Sequence, residues 1–258
     1  MTIIDKIKNC EKKYVEYFSK TDEQEDFIRF RDESLPDMYH HNYTWIKNAK
    51  DDLALIQLIE SEIEYSKNEN KDFCLIKCHI PISELVITSL SPNCEVSRIG
   101  HYLFDEREFS NINPVKDCHV LKVDNQKMVD DILFLDLESD EEVLGKDFCT
   151  RRVYRRKDVY LSNEGVGSYI CYDNNEIIGR CDMLIYEDTA KIEDFYVSPQ
   201  KQRKGYGTAI LKKLIEIAKN KNVSIIYLVT DEDDTAKEMY TKIGFSKIYE
   251  LPELLFKL

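Results

Sequence analysis

The sequence is poor in the residues that interrupt regular structure. Its 258 residues include eight Gly and six Pro, where average usage would give roughly 30 of the two together. Long flexible linkers, collagen-like repeats and Gly-rich disordered tails are therefore excluded, and any tight glycine cluster carries weight. No run approaches the ~18 apolar residues of a membrane-spanning helix; the longest apolar stretches are short ones such as Ile225 to Val229. The opening MTIIDKIKNC lacks the charged-then-apolar layout of a signal peptide. We expect a soluble, cytoplasmic protein with no membrane partner. The eight cysteines, Cys10, Cys74, Cys78, Cys94, Cys118, Cys149, Cys171 and Cys181, show no dense framework, so reduced, buried thiols are expected. A net charge of −13 repels a phosphate backbone and argues against nucleic acid as the main partner. At 43% apolar residues, the chain has ample material for a packed core.

Periodicity gives an alternating order of elements. Residues 1–22 predict an amphipathic helix, and residues 38–46 an extended, aromatic-rich segment. A helix at 50–66, a strand at 73–80, a short helix at 82–90 entered by Pro81, and a strand at 95–104 follow. The polar stretch 105–117 predicts a boundary between domains at 1–117 and 118–258. After it come a strand at 118–123, helices at 125–137 and 147–157, and strands at 168–172, 177–186 and 191–197, with hairpin chemistry at Asp173-Asn174-Asn175-Glu176. The end reads as a helix at 204–220, a strand at 223–230, a helix at 233–243 and a strand at 245–257. The fold class is mixed α/β.

The chemistry points to residues 192–230. A strand ends at Val197, and a loop carrying Gly205 and Gly207 leads into a helix with apolar Ile210, Leu211, Leu214, Ile217 and Ala218 on one face. Glycine allows close backbone approach, and a helix's first turn has N–H groups without internal partners, so this junction suits a pyrophosphate. No acidic residue falls between Phe195 and Ile215, whereas Lys201, Arg203, Lys204, Lys212 and Lys213 do. Neither G-x-x-x-x-G-K-[ST] nor G-x-G-x-x-G is present.

The pattern Gln202-x-x-Gly205-x-Gly207 is similar to the acetyl-coenzyme A pyrophosphate motif of the GNAT superfamily of N-acetyltransferases. Ile192 to Val197 resembles that family's fourth strand, Val223 to Thr230 its fifth, and Ala236-x-x-x-Tyr240-x-x-x-Gly244-Phe245 its next helix and exit. The resemblance covers residues 118–258 and implies the GNAT acyl-CoA N-acyltransferase fold. It also implies acetyl-CoA as cosubstrate, held by Tyr196, Val197, Gln202, Arg203, Lys204, Gly205, Tyr206, Gly207, Thr208, Asp233 and Tyr240. The implied activity is acetyl transfer to a primary amine by direct attack in a ternary complex, on a small molecule or a protein amine. Many members carry Asn where Asp233 stands, and Asp233 is expected to serve instead as an N-cap.

Tyr240 carries two readings, a member of the buried stripe Ala236, Met239, Tyr240, Ile243 and a proton donor to the departing thiolate. Glu193 and Asp194 are the nearby carboxylates, either base candidates or ordinary strand-end residues; on a regular strand they point to opposite faces. The cluster Arg151-Arg152, Arg155-Arg156-Lys157 reads as a solvated helix face, although the resemblance implies that the first two helices of the domain border the acceptor cleft. No metal is expected, since Cys74 and Cys78 on a strand lie roughly 13 Å apart at ~3.3 Å per residue, too far to share an ion held at ~2.3 Å. The rival function is a non-catalytic CoA-binding sensor or interaction module. Residues 1–117 repeat the C-terminal order of elements without the glycines, which suggests a degenerate GNAT-like copy that binds no nucleotide.

Overall fold

A computed structural model of the chain describes residues 1–90, 94–114, 116, 118–162 and 164–258. In chain order the elements are α1 (Ile3–Glu16), β1 (Lys20–Glu23), β2 (Phe27–Arg31), β3 (Tyr43–Ile46), α2 (Asp52–Asn68), β4 (Phe73–Cys78), α3 (Glu84–Leu90), β5 (Cys94–Phe104), β6 (His119–Lys122), α4 (Gln126–Leu144), α5 (Lys146–Leu161), β7 (Val166–Asp173), β8 (Glu176–Tyr186), β9 (Thr189–Val197), α6 (Tyr206–Asn220), β10 (Ile225–Asp231), α7 (Ala236–Ile243) and β11 (Phe245–Lys257). This is the expected mixed α/β order, with two corrections. The first helix stops at Glu16, with Tyr17 as its C-cap, and Lys20–Glu23 pairs as a strand with β2. Helix α4 runs on to Leu144, its acidic tail holding three glutamates and a leucine, which are good helix formers, and ends at Gly145 with φ +80°.

Two compact units divide the chain. The first holds residues 1–17, 101–229 and 235–248; the second holds 18–100, 230–234 and 249–258. These units and the sequence halves 1–117 and 118–258 partition the chain differently, since β5 and β11 each contribute residues to both.

In the first unit the strand order is β6-β7-β8-β9-β10, antiparallel up to β9, with β10 parallel to β9. Asn174 and Asn175, at φ +49° and +67°, close the β7–β8 hairpin as its sequence requires. The apolar cluster joins Ile178, Met183, Ala190 and Ile192 of the sheet to Ile210, Leu211 and Leu214 of α6 and to Tyr240 and Ile243 of α7. Each fully buried Leu or Ile there contributes about 1.5–3 kcal/mol. Helix α5 corrects the expectation of a solvated arginine face in part: Arg151 is exposed, but two of its arginines are buried. Arg152 and Arg156 are 8% and 7% exposed, because Asp136, Asp140 and Asp194 stand ready to pair with them.

The second unit has the order β1-β2-β3-β4-β11, with β3 parallel to β4 and the other pairs antiparallel. Ile46, Leu55, Ile59, Ile76, Val86, Leu254 and Phe256 form its core. The run β3-α2-β4-α3-β5 repeats the order of β9-α6-β10-α7-β11, and each run begins with a parallel strand pair.

Candidate active site

The site is built around a place where two parallel strands part. The β9–β10 register runs from Thr189 opposite Ile225 to Ile192 opposite Leu228, after which β9 continues to Val197. The cause is a bulge. Along β8 the register passes from Arg180 opposite Tyr196 to Asp182 opposite Glu193, so Asp194 and Phe195 together face Cys181, and Asp194 sits at φ +53°. A bulge bends its strand, and the β10 side of residues 193–197 faces a gap, not a ladder.

The loop after β9 turns into α6 at the mouth of that gap. Gly205, at φ +90°, is the N-cap, and no side chain occupies the cap position. The first N–H to bond back within the helix belongs to Ala209, which donates to the Gly205 carbonyl at 3.2 Å. Those of Tyr206, Gly207 and Thr208 point out of the helix end, as an anion requires. Gln202 is placed differently from a phosphate ligand: its Nε2 donates to the Val197 carbonyl at 3.0 Å and ties the loop to the strand end. Lys201 pairs with Glu176, and Lys204 donates to the Gln200 carbonyl at 2.8 Å. Arg203 is exposed at φ +58°. A Cβ at Gly207 would lie 2.8 Å from Met239 Sδ and 3.6 Å from Phe195, so this glycine serves the packing of α7 on α6.

Tyr240 is buried on α7, edge-on to Phe195 and to Phe245 with ring centres 6.3 Å away in each case. Phe195 belongs to the bulge, so Tyr240 reaches the wall of the gap as well as the core. Asp233 does not cap α7, which corrects the expectation from sequence. The N-cap is Thr235, without a side-chain bond, and the Asp233 N–H instead donates to Asp231 Oδ1 at 2.9 Å. The tight turn Asp231–Asp234 uses up the acidic residues before the helix begins.

The two carboxylates are separated in character, but not by facing opposite ways. The bulge breaks the alternation, and both Glu193 and Asp194 reach the face covered by α1 and α5. Asp194 is clamped by Arg156 at 2.9 Å and by Arg180. Burial pushes its carboxyl up, but Arg180, Arg156 and Arg152 outweigh that and hold it far below the usual carboxylate range. A group so held is a poor proton acceptor. Arg180 also reaches Asp136 at 3.0 Å, and Arg152 meets Asp136 at 2.8 Å, so the network extends into α4. Glu193 is 30% exposed on its side chain and pairs with Lys191 at 2.8 Å. Behind them, Asp182 is pushed up to about 6 by burial and by the Asp194 charge, with Arg156 and the Tyr160 hydroxyl, at 2.7 Å, acting against it.

Tyr196 lies on the same face, where its hydroxyl donates to Glu138 Oε2 of α4 at 3.2 Å, and Ser198 donates to the other oxygen at 3.0 Å. Sequence reading passed over Glu138, Arg180, Asp182 and Lys191. Arg180 and Asp182 did leave a signal, as charged residues inside the otherwise apolar strand Ile177–Ile185. Among the described residues, no group of three His, Cys, Asp or Glu side chains is placed to hold a metal ion. None of their helices is long and apolar enough to cross a membrane.

Comparison with known proteins follows the same lines. Residues 130–245 match the model of the acetyltransferase (GNAT) family. The chain is 34% identical over 107 residues to an uncharacterized N-acetyltransferase, CgeE, of Bacillus subtilis (strain 168), a match covering 40% of this chain and 41% of that protein. The chain thus spans well under two thirds of that relative's length. Among solved structures, it resembles a functionally unknown conserved protein from Staphylococcus epidermidis ATCC 12228, with a TM-score of 0.77, 17% identity, and coverage of 93% of this chain and 94% of the other. It also resembles a tandem GNAT protein from the clavulanic acid biosynthesis pathway, with a TM-score of 0.57, 9% identity, and coverage of 83% and 74%. At these identities the two structures establish the fold.

Proposed function

We propose that this chain, whose residues 130–245 form a GNAT-family domain, is an N-acetyltransferase that moves an acetyl group from acetyl-CoA to a primary amine by direct attack in a ternary complex. The observation that carries the reading is the gap between β9 and β10, with the uncapped start of α6 at its mouth and Tyr240 on its wall. These parts fit acetyl-CoA: outward backbone N–H groups for a pyrophosphate, an unpaired strand edge for the pantetheine amides, and a phenol beside the gap. Bound there, acetyl-CoA supplies an acyl group activated as a thioester.

The chain's own residues do the rest. Backbone N–H groups of Tyr206, Gly207 and Thr208 hold the diphosphate, while the edge of residues 193–197 orients the arm. Gln202 keeps loop and strand together. Backbone N–H groups near Val197 stabilise the negative charge that develops on the carbonyl oxygen. Glu193, the more exposed and less restrained carboxylate, receives the proton of the acceptor ammonium, and Tyr240 holds its phenolic proton for the leaving thiolate. Asp194 stays charged and fixes the bulge. Residues 1–117 serve in this reading as a degenerate GNAT-like copy. The acceptor is an amine-bearing small molecule or a protein amine.

The test is thiol release followed with a chromogenic disulfide across amino acids, polyamines, aminoglycosides and peptides with free N-termini or lysines. Turnover with any class supports the enzyme. Calorimetric binding of coenzyme A without turnover for any class would overturn it in favour of a binding module.

A further inference from the structure

Helix α1 lies outside the GNAT domain, yet it packs against β8 and β9 of the first unit and places Glu11 beside the site. One oxygen of Glu11 lies 2.8 Å from Lys191 Nζ, and the other accepts the Tyr227 hydroxyl at 2.8 Å. Lys191 Nζ is in turn 2.8 Å from Glu193 Oε2 and 4.6 Å from the centre of the Tyr14 ring. Side-chain exposure is 14% for Glu11, 5% for Lys191 and 30% for Glu193, so the ammonium is the most buried member and Glu193 the most exposed. A buried ammonium thus lies between two carboxylates, and only one of them borders the gap.

We infer that Glu11 and Lys191 act together as positioning residues for Glu193, holding its carboxylate beside the bulge, where the β9–β10 ladder ends, and leaving it able to accept the acceptor's proton. The inference rests on the acetyltransferase reading above. Its physical basis is the cost of an unpaired buried charge. Were Glu193 the only counter-ion of Lys191, each protonation of Glu193 would strand an ammonium inside the protein. With Glu11 in place, Lys191 stays paired throughout the cycle. Burial alone pushes Lys191 down, but Glu11 and Glu193 more than reverse it. Burial likewise pushes Glu11 up, and Lys191 and His101 more than reverse that. Both inner charges therefore persist while Glu193 changes state.

In the proton step the acceptor R–NH3+ gives one proton to a Glu193 oxygen, leaving R–NH2 with the lone pair that attacks. The resulting carboxylic acid returns that proton to solvent through its exposed edge. The other titratable groups around Glu193 are Tyr14 from α1, Cys181 and Asp182 from β8, Asp194 from its own strand, and Arg156 and Tyr160 from α5. They are left intact in the test, so only the triad changes.

The experiment compares kcat/KM against pH for the wild type, Glu11→Gln, Lys191→Gln and the double variant, in the full chain. Glutamine at position 11 can still accept from Tyr227. In Glu11→Gln the acidic limb should move down by about one pH unit and kcat should fall, with KM for acetyl-CoA unchanged. In Lys191→Gln the limb should move up by about one unit, and the double variant should return close to the wild type. One unit is the expected scale for a single neighbouring charge at a half-buried site. The 13C shift of the Glu193 carboxyl, assigned with Glu193→Gln, reports the same titration without turnover. The double variant leaves no buried unpaired charge and provides a folded comparison if a single variant melts early. Unmoved limbs and an unmoved 13C titration in folded variants would overturn the inference. Opposed 13C shifts in a protein that turns over no amine would instead overturn the acetyltransferase reading and the catalytic role drawn from it.

Discussion

Gln202 Nε2 donates to the Val197 carbonyl at 3.0 Å, so the glutamine of the Q-x-x-G-x-G pattern is a clasp between loop and strand. In the proposed acetyl-CoA site it acts on the ligand only by fixing the backbone that does the binding. Gln202→Leu should weaken coenzyme A binding about tenfold, the size of one lost hydrogen bond at ~1.4 kcal/mol, while kcat falls less than twofold. Isothermal titration beside steady-state kinetics checks the split. A kcat loss larger than the affinity loss would place the residue in the chemistry instead.

Gly207 follows from its neighbour on α7. Because a Cβ there meets Met239 Sδ at 2.8 Å, Gly207→Ala should lower the melting temperature and loosen α7, and Gly207→Val more so. Met239→Ala in the same chain should restore part of the loss, since it removes the obstructing atom. Thermal melts of the two single variants and the double variant give the coupling. Additive effects would show that the glycine is needed for the ligand alone.

Tyr240→Phe removes one hydroxyl and keeps a ring packed edge-on against Phe195 and Phe245. Stability and coenzyme A affinity should stay close to the wild type, whereas turnover should fall by about 10²–10⁴, the range for loss of a general acid. Turnover at the wild-type rate would leave Tyr240 as a core residue only.

The glycine loop before α6 was legible because glycine is scarce and the apolar stripe of α6 follows Gly205 closely. Element order was legible for the same reason, with few breaks to confuse the periods. The bulge at Asp194 was not. An alternation argument assumes a regular strand, and the residue that breaks it is an ordinary aspartate at positive φ, held there by two arginines from α5 and β8. Nor were the buried roles of Arg152 and Arg156 legible, since a lone amphipathic pattern cannot show that acids from α4 and β9 converge on the same face. Expectations about Glu193 and Asp194 changed for that one reason.

Asp182 predicts a pH signature. Its carboxyl is pushed up to about 6, from 3.8, by burial first and the Asp194 charge second. A raised carboxyl favours the folded state most when protonated. Its contribution is therefore fully present below about pH 4 and is lost as pH rises from about 4 to about 6. Asp182→Asn is spared that loss. Its stability relative to the wild type should improve with rising pH by on the order of 3 kcal/mol, read from urea unfolding at several pH values across that window. A pH-independent difference would show that the aspartate does not titrate there.

The two helix entries that correspond in the repeated order predict how many cofactors bind. At the start of α6 the cap is Gly205, with no side chain over the N–H groups. At the start of α2 the cap is Asp51, whose carboxylate accepts from the Ala54 N–H at 2.9 Å, and Asp52 adds a second negative charge in the first turn. An acid already bonded to that helix end occupies the place of a phosphate oxygen and repels the next one. The chain should therefore bind one coenzyme A, at α6, and titration calorimetry should give a stoichiometry of one. Removing the cap tests the cause separately: Asp51→Gly should cost roughly 1 kcal/mol or less in stability and still add no second site, because no glycine loop precedes α2. Two equivalents bound to the wild type would end the reading of residues 1–117 as a copy that binds no nucleotide.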